Sequence, residues 1–305
     1  MKKSSLVVFL VLLFLVSIAC TQPQDGPTSS VLVAKSTYDE VNKSGVIKIG
    51  HGTDVPPLSL LDPQQGLIGF DIDIAKAIAE QIGNIMGKEL KIDWVVVNNK
   101  TRIAFLANKR IDLTIRSMSH TRSRDEQVDY AEPPYLWTGK IFYAKKGRFK
   151  KPMDICGKRM AVTQGSNAYI AGQNYLKELG CNKDFDIRAF QNNAECFLAL
   201  KQNKVDAYIQ DTPIIAGVAG AEGGDYEPVG PIFSPGLYGI GTAPNDSKWR
   251  DTASFALQDL MKNGTYEKIY LKWFGPDGIA PLPVNSRPRL PEDLYGDRNQ
   301  FVWPN

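Results

Sequence analysis

Residues 102–115, RIAFLANKRIDLTI, and residues 196–209, CFLALKQNKVDAYI, carry one pattern twice. Each begins with apolar residues at helical spacing, passes through a basic turn, and enters a strand opening on Ile111-Asp112 or Val205-Asp206. The copies stand too far apart for a solenoid that stacks adjacent repeats, and suit two lobes built on one plan. Around them, short β-branched runs alternate with helical patterns. Val46-Ile47-Lys48-Ile49 and residues 91–97 read as strands; between them a helix opens at Asp71, sets Ile74, Ile78 and Ile82 on one face, and has Gly83 near its end. This alternation predicts an α/β architecture rather than a sandwich.

The ends differ from this body. Residues 1–19 combine Lys2 and Lys3 with an apolar run from Leu6 to Ile18, the pattern of a secretory signal and too short for a confident membrane span. Ser17-Ile18-Ala19-Cys20 resembles the bacterial lipoprotein box, although Ser17 stands where leucine is usual. Acylation at Cys20 would anchor the chain through its buried methylenes. Residues 20–43 then read as a lipidated flexible tether, and 276–305 as a proline-rich C-terminal tail.

Of the 305 residues, 36 are Lys or Arg and 33 Asp or Glu, a net charge of +3 that excludes a nucleic-acid polyanion as the expected partner. No CxxC, HExxH or clustered histidine supports a metal site or cofactor, His51 and His120 being far apart. Of the cysteines past Cys20, Cys196 sits in an apolar helical run and reads as a buried thiol, leaving Cys156 to Cys181 as the favoured disulfide.

In open α/β sheets, ligands bind beyond the carboxyl ends of the strands. The repeated strands therefore nominate two loops. One, Arg116 to Arg124, is dense in guanidinium groups and hydroxyls and suits an anion; the other, Gln210-Asp211-Thr212, offers a carboxylate for a cation. Facing each other, they match the carboxylate and ammonium of a free amino acid. A plainer alternative makes Ser117 and Ser119 a helix cap and Arg124 half of a surface ion pair.

Four segments resemble the family 3 extracellular solute-binding proteins, the polar amino-acid receptors of ABC importers. They are Gly45 to Gly50 with Pro56-Pro57, Gly66 to Ala75, Lys109-Arg110-Ile111-Asp112 through Tyr135, and Asn263 to Gly275. The resemblance implies a two-lobed periplasmic-binding-protein fold (Venus flytrap, type II) with hinge-connected sheets. Lobe one would comprise 44–139 and 234–275, and lobe two 140–233. It makes Arg124 the carboxylate clamp with Ser119 and Ser117 assisting, and Asp211 the ammonium partner. Thr163-Gln164-Gly165-Ser166-Asn167 resembles the family's loop before a lobe-two helix, where Ser166 and its backbone N–H would add donors. A cysteine near Cys156 and another near Cys181 are also frequent in the family.

The departures bear on the ligand. Basic-amino-acid receptors place an acid where this chain has Gly52, an aromatic where it has Val55, and a second aromatic wall near Asn99. Arg116 falls close to the ligand side chain, with Lys100 and Arg102 as candidates for a second cation. Together these favour glutamate or aspartate, then glutamine, over a basic ligand, since a buried arginine needs a partner. The implied partners are an ABC permease, the lipid anchor and the free amino acid, the protein itself being a monomer. The competing roles are a sensory module for a partner receptor and a dehydratase-type enzyme using Asp211 or Glu195 as general acid.

Overall fold

A computed structural model describes residues 35–219 and 224–281. The signal segment, Cys20, most of the tether and the tail beyond 281 lie outside the described residues; the last part of the expected tether is instead helical from Thr37 and held to the body by Ser36 and Thr37, which both donate to Asp246. The chain enters through α1 (Thr37–Ser44) and β1 (Val46–His51), then forms a small antiparallel sheet of β2 (Asp54–Val55), β3 (Ser59–Asp62) and β4 (Gly66–Ile68). Next come α2 (Phe70–Met86), β5 (Lys91–Val96), α3 (Arg102–Ala107), β6 (Leu113–Thr114), the short α4 (Arg122–Asp125) and the long β7 (Asp129–Lys145). The second half holds β8 (Arg159–Thr163), α5 (Ala168–Glu178), β9 (Asp186–Phe190), α6 (Asn193–Lys201), β10 (Ala207–Asp211) and α7 (Thr212–Ala219). The chain returns along β11 (Tyr226–Thr242) to α8 (Ser247–Lys262) and α9 (Thr265–Phe274).

Eight strands lie in the order β5-β1-β6-β11-β7-β10-β8-β9. The first three are mutually parallel, as are β10, β8 and β9. The two 17-residue strands β7 and β11 run antiparallel between these groups and serve both. Their register shifts between Val229 and Phe233, again before Pro235, and between Tyr238 and Ile240. The expected two sheets are thus joined edge to edge through a pair of crossing strands, with bulges where the two halves meet.

Each half has apolar packing on both faces, as a buried parallel sheet requires. On one face of the first half, α2, α8 and α9 bury Ile74, Ile78, Ile82, Trp249 and Tyr270; on the other lie Leu106, Ile111, Met118 and Val128. The isoleucine stripe expected on α2 is fully buried, each side chain contributing about 1.5 to 3 kcal/mol. Gly83 lies near the end of that helix as expected, in its last turn, where a Cβ would come 2.6 Å from the Lys88 carbonyl oxygen, and left-handed Gly87 makes the stop. In the second half, Phe142, Met160 and Ile209 pack on one face and Phe197, Leu200 and Tyr208 on the other. Cys156 and Cys181 form a disulfide with Cα atoms 5.7 Å apart, while Cys196 is a buried thiol whose pKa burial pushes up to about 12.

The repeated sequence pattern marks equivalent elements. Turns at Lys109 and Asn203 adopt left-handed φ angles of 52° and 56°. Past them, Asp112 donates its N–H to the Lys48 carbonyl and receives the Lys48 N–H on Oδ2 (2.8 and 2.7 Å). Asp206 does the same with Arg159 (2.7 and 3.0 Å). Each aspartate locks its strand to the neighbouring parallel strand. Only Asp206 also pairs with guanidinium groups, those of Arg159 and Arg148, and these hold its carboxyl at about 2.

Candidate functional site

The strand β6 ends at Thr114, and the chain turns out through Ser117 with a φ of 41°, a conformation uncommon for a residue with a side chain. Asp71, fully buried at the start of α2, holds that turn. Its Oδ2 accepts the Ser117 N–H at 2.8 Å and its Oδ1 the Tyr135 hydroxyl at 3.1 Å. Burial raises its pKa to about 6 despite these bonds. The loop is then pinned to β11, with the His120 N–H donating to the Leu237 carbonyl (2.8 Å) and that of Gly239 to the Met118 carbonyl (3.0 Å).

Three guanidinium groups converge behind this loop. Arg124, from α4, turns inward, donating to the carbonyls of Ser119 (2.7 Å) and Gly165 (3.4 Å). It is 8% exposed, which removes the surface-ion-pair reading. Arg102 donates to the Arg116 carbonyl at 2.6 Å. Burial and the neighbouring charges of Arg124 and Arg116 lower its pKa. Arg116 donates to Asn99 Oδ1 (2.7 Å) and meets the half-exposed Asp54 at 3.3 Å. Gly52 makes room for it, because a Cβ there would stand 2.8 Å from Arg116 Nε.

The second half supplies the opposite wall. Gly165, at a φ of 73°, lets the loop after β8 pass against Asn99, and Ser166 Oγ accepts the Ala168 N–H at the head of α5 (3.0 Å). The Ser166 amide donates to the Thr163 carbonyl (3.1 Å), so this residue offers the cleft a hydroxyl and not the expected backbone N–H. Thr163 sits beneath the surface, donating to Asn193 Oδ1 at 2.7 Å. The same oxygen accepts from Tyr208 (2.8 Å) and Gln210 (2.8 Å), and this polar net fixes the floor under Asp211.

Asp211 lines the cavity, but its charge is already met. Lys140 Nζ approaches Oδ1 at 2.5 Å and the Tyr238 hydroxyl donates to Oδ2 at 2.7 Å. The halves close around a cavity of about 20 Å³ bounded by Val55, Asn99, Arg102, Arg116, Ser117, Ser119, Arg124, Ser166, Asn167, Asn193, Gln210, Asp211 and Ile214. Seven of the nine binding residues expected from sequence border it, and Thr163 and Gly165 support it from behind. A larger groove of about 530 Å³, bordered by Pro57, Ile68, Gly217 and Trp273, lies apart from this cluster, and its Asp73 and Lys272 pair with each other at 2.6 Å.

Lys140 was missed by the sequence reading, although a lone lysine among Leu136, Trp137, Ile141 and Phe142 is the mark of a buried cation with a partner. Asn193 carried no comparable signal, whereas Gln210 belongs to the second loop that the repeated strands nominate. Lys100 is exposed and does not border the cavity, whereas Arg102 does. Glu195 accepts from the Gln191 N–H (3.1 Å) and Asn192 Nδ2 (3.0 Å) at the start of α6 and does not border the cavity.

The family model for bacterial extracellular solute-binding proteins, family 3, matches residues 47–276. The chain belongs to that family. Its relatives include the ABC transporter glutamine-binding protein GlnH of Bacillus subtilis (strain 168), 32% identical over 85% of this chain and 92% of that one. Another is the glutamate/aspartate import solute-binding protein of Salmonella typhimurium (strain LT2), 25% identical over 89% of each. Among solved structures, an ancestral arginine-binding protein bound to arginine aligns with a TM-score of 0.67 at 31% identity, over 76% of this chain and 99% of that one. This family 3 protein therefore has the two-lobed fold of amino-acid-binding proteins. Among its described residues, no helix is long and apolar enough to cross a membrane.

Proposed function

We propose that this protein captures a free amino acid, glutamate or aspartate before glutamine, and presents it to an ABC permease. The observation that carries the ligand is the state of two arginines. Arg102 and Arg124 are 2% and 8% exposed, both border the cavity, and among the described residues neither has a carboxylate within ion-pair distance. A buried charge left unpaired is costly. An amino acid with a second carboxylate supplies an anion to each, the α-carboxylate at Arg124 with Ser117, Ser119 and Ser166, and the side chain toward Arg102 and Arg116. Arg116 is met by Asp54 and Lys140 by Asp211, which leaves Arg102 and Arg124 for the two carboxylates of a ligand.

Capture proceeds by hinge closure. Residues 44–139 with 234–275 form one lobe and 140–233 the other, and β7 and β11 flex where they cross. The cavity is too small to admit an amino acid without the halves parting. Bound ligand bridges the lobes and shifts the equilibrium toward the closed form. No covalent step is required.

Calorimetry with the common amino acids tests the reading. Glutamate or aspartate should bind at least about tenfold tighter than glutamine, a difference of 1.4 kcal/mol, with lysine not binding. Arg116→Ala should reorder that preference while leaving an amino acid bound. Tight binding of lysine with none of glutamate would sink it.

We further propose that Cys20 becomes the lipid-modified first residue of the mature chain. Intact-mass measurement of membrane-extracted protein should show acyl groups on a chain beginning there; an unmodified Cys20 removes the anchor.

A further inference from the structure

The pairing of Asp211 has a chemical consequence for the ligand. Asp211 on β10 and Lys140 on β7 are direct cross-strand partners, and Phe233 on β11 also pairs with Lys140 at the irregular stretch where the halves meet. Lys140 is 1% exposed, and its Nζ lies 2.5 Å from Asp211 Oδ1 while Tyr238 holds Oδ2. The carboxylate facing the cavity therefore already has an ammonium ion and a hydroxyl donor from the protein. A ligand ammonium arriving at Asp211 would place two like charges on one carboxylate, each weakening the hold of the other.

We propose that Lys140 stands in for a ligand's amino group at Asp211, so that the cleft also takes short dicarboxylates without an amino group, such as glutarate and succinate. This rests on the two-carboxylate reading of the cleft given above. In that site the guanidinium groups of Arg124 and of Arg102 with Arg116 grip the two ends of the ligand, and Asp211 is neutral in effect before the ligand enters. The amino group then adds little binding. Without Lys140, Asp211 would be a buried carboxylate in need of a cation, and the ligand's ammonium would become the group that supplies it.

The test compares each amino acid with its deamino counterpart by calorimetry: glutamate with glutarate, aspartate with succinate, and glutamine with 5-amino-5-oxopentanoate. The proteins are the natural chain, Lys140→Met, and Lys140→Gln, whose amide can still donate to Asp211 if the methionine variant fails to fold. In the natural protein the amino acid should be preferred by less than about tenfold, and in the variants that preference should rise by at least about another tenfold. A natural protein preferring the amino acid by more than tenfold, or a ratio that the folded variants leave unchanged, overturns the proposal. Should neither variant fold, the ratio in the natural protein decides alone. If only the glutamine pair binds, the two-carboxylate reading has failed and Lys140 is judged on that pair. If no member of any pair binds, both fall.

Discussion

Arg124→Ala should weaken the binding of every amino acid by about thirtyfold or more. The guanidinium is buried, donates to carbonyls from both halves of the molecule, and borders the cavity beside Ser117, Ser119 and Ser166. Truncating one member of a buried, hydrogen-bonded charge pair costs about 2 to 5 kcal/mol. Affinity should therefore fall by about thirtyfold to several thousandfold. The loss is common to all ligands because the α-carboxylate is the part they share. Calorimetry reads the affinity, and a thermal melt of the unliganded variant separates lost binding from lost folding. A folded variant that binds within about threefold of the natural protein would show that the carboxylate clamp lies elsewhere.

Closure of the cleft is tested at a residue that touches no ligand. Gly217 on α7 faces Pro56 from the other half so closely that a Cβ would stand 1.9 Å from the Pro56 carbonyl oxygen. No real carbon tolerates that distance, so Gly217→Ala must hold the two surfaces apart. Alanine is the better helix former by about 1 kcal/mol, and the helix itself is not weakened. The variant should fold, lose at least about tenfold in affinity, and fail to contract in small-angle X-ray scattering when saturated with ligand. Undiminished affinity with normal contraction would mean that the contact between Gly217 and Pro56 is absent from the liganded form.

Both predictions begin from residues that differ in how visible they are along the chain. Arg124 stands out in a loop crowded with hydroxyls and basic groups, at a fixed distance from the strand that precedes it. Gly217 lies in Thr212-Pro213-Ile214-Ile215-Ala216-Gly217, where nothing local tells a glycine forced by a neighbour from one that is merely tolerated. The same contrast separates Ser119 from Asn193, whose place in the cavity wall depends on three side-chain donors from distant strands. A covalent neighbour can be read in order; a spatial neighbour cannot.

The sequence by itself determined the period of each element and hence the α/β layers. It also pointed to the equivalence of the two halves through the repeated helix, turn and strand opening on Asp112 or Asp206, because helical and strand spacing are short-range properties. It likewise marked Arg116, Arg124 and Asp211 as charged groups at the ends of strands. Only the tertiary structure decided what those charges meet. Arg116 lies beside Gly52, Asn99 and Asp54, and Asp211 receives Lys140 and Tyr238 from two other strands. A charge in the interior is defined by its partner, and pairing across strands is set by sheet order and register, which no local window of sequence contains.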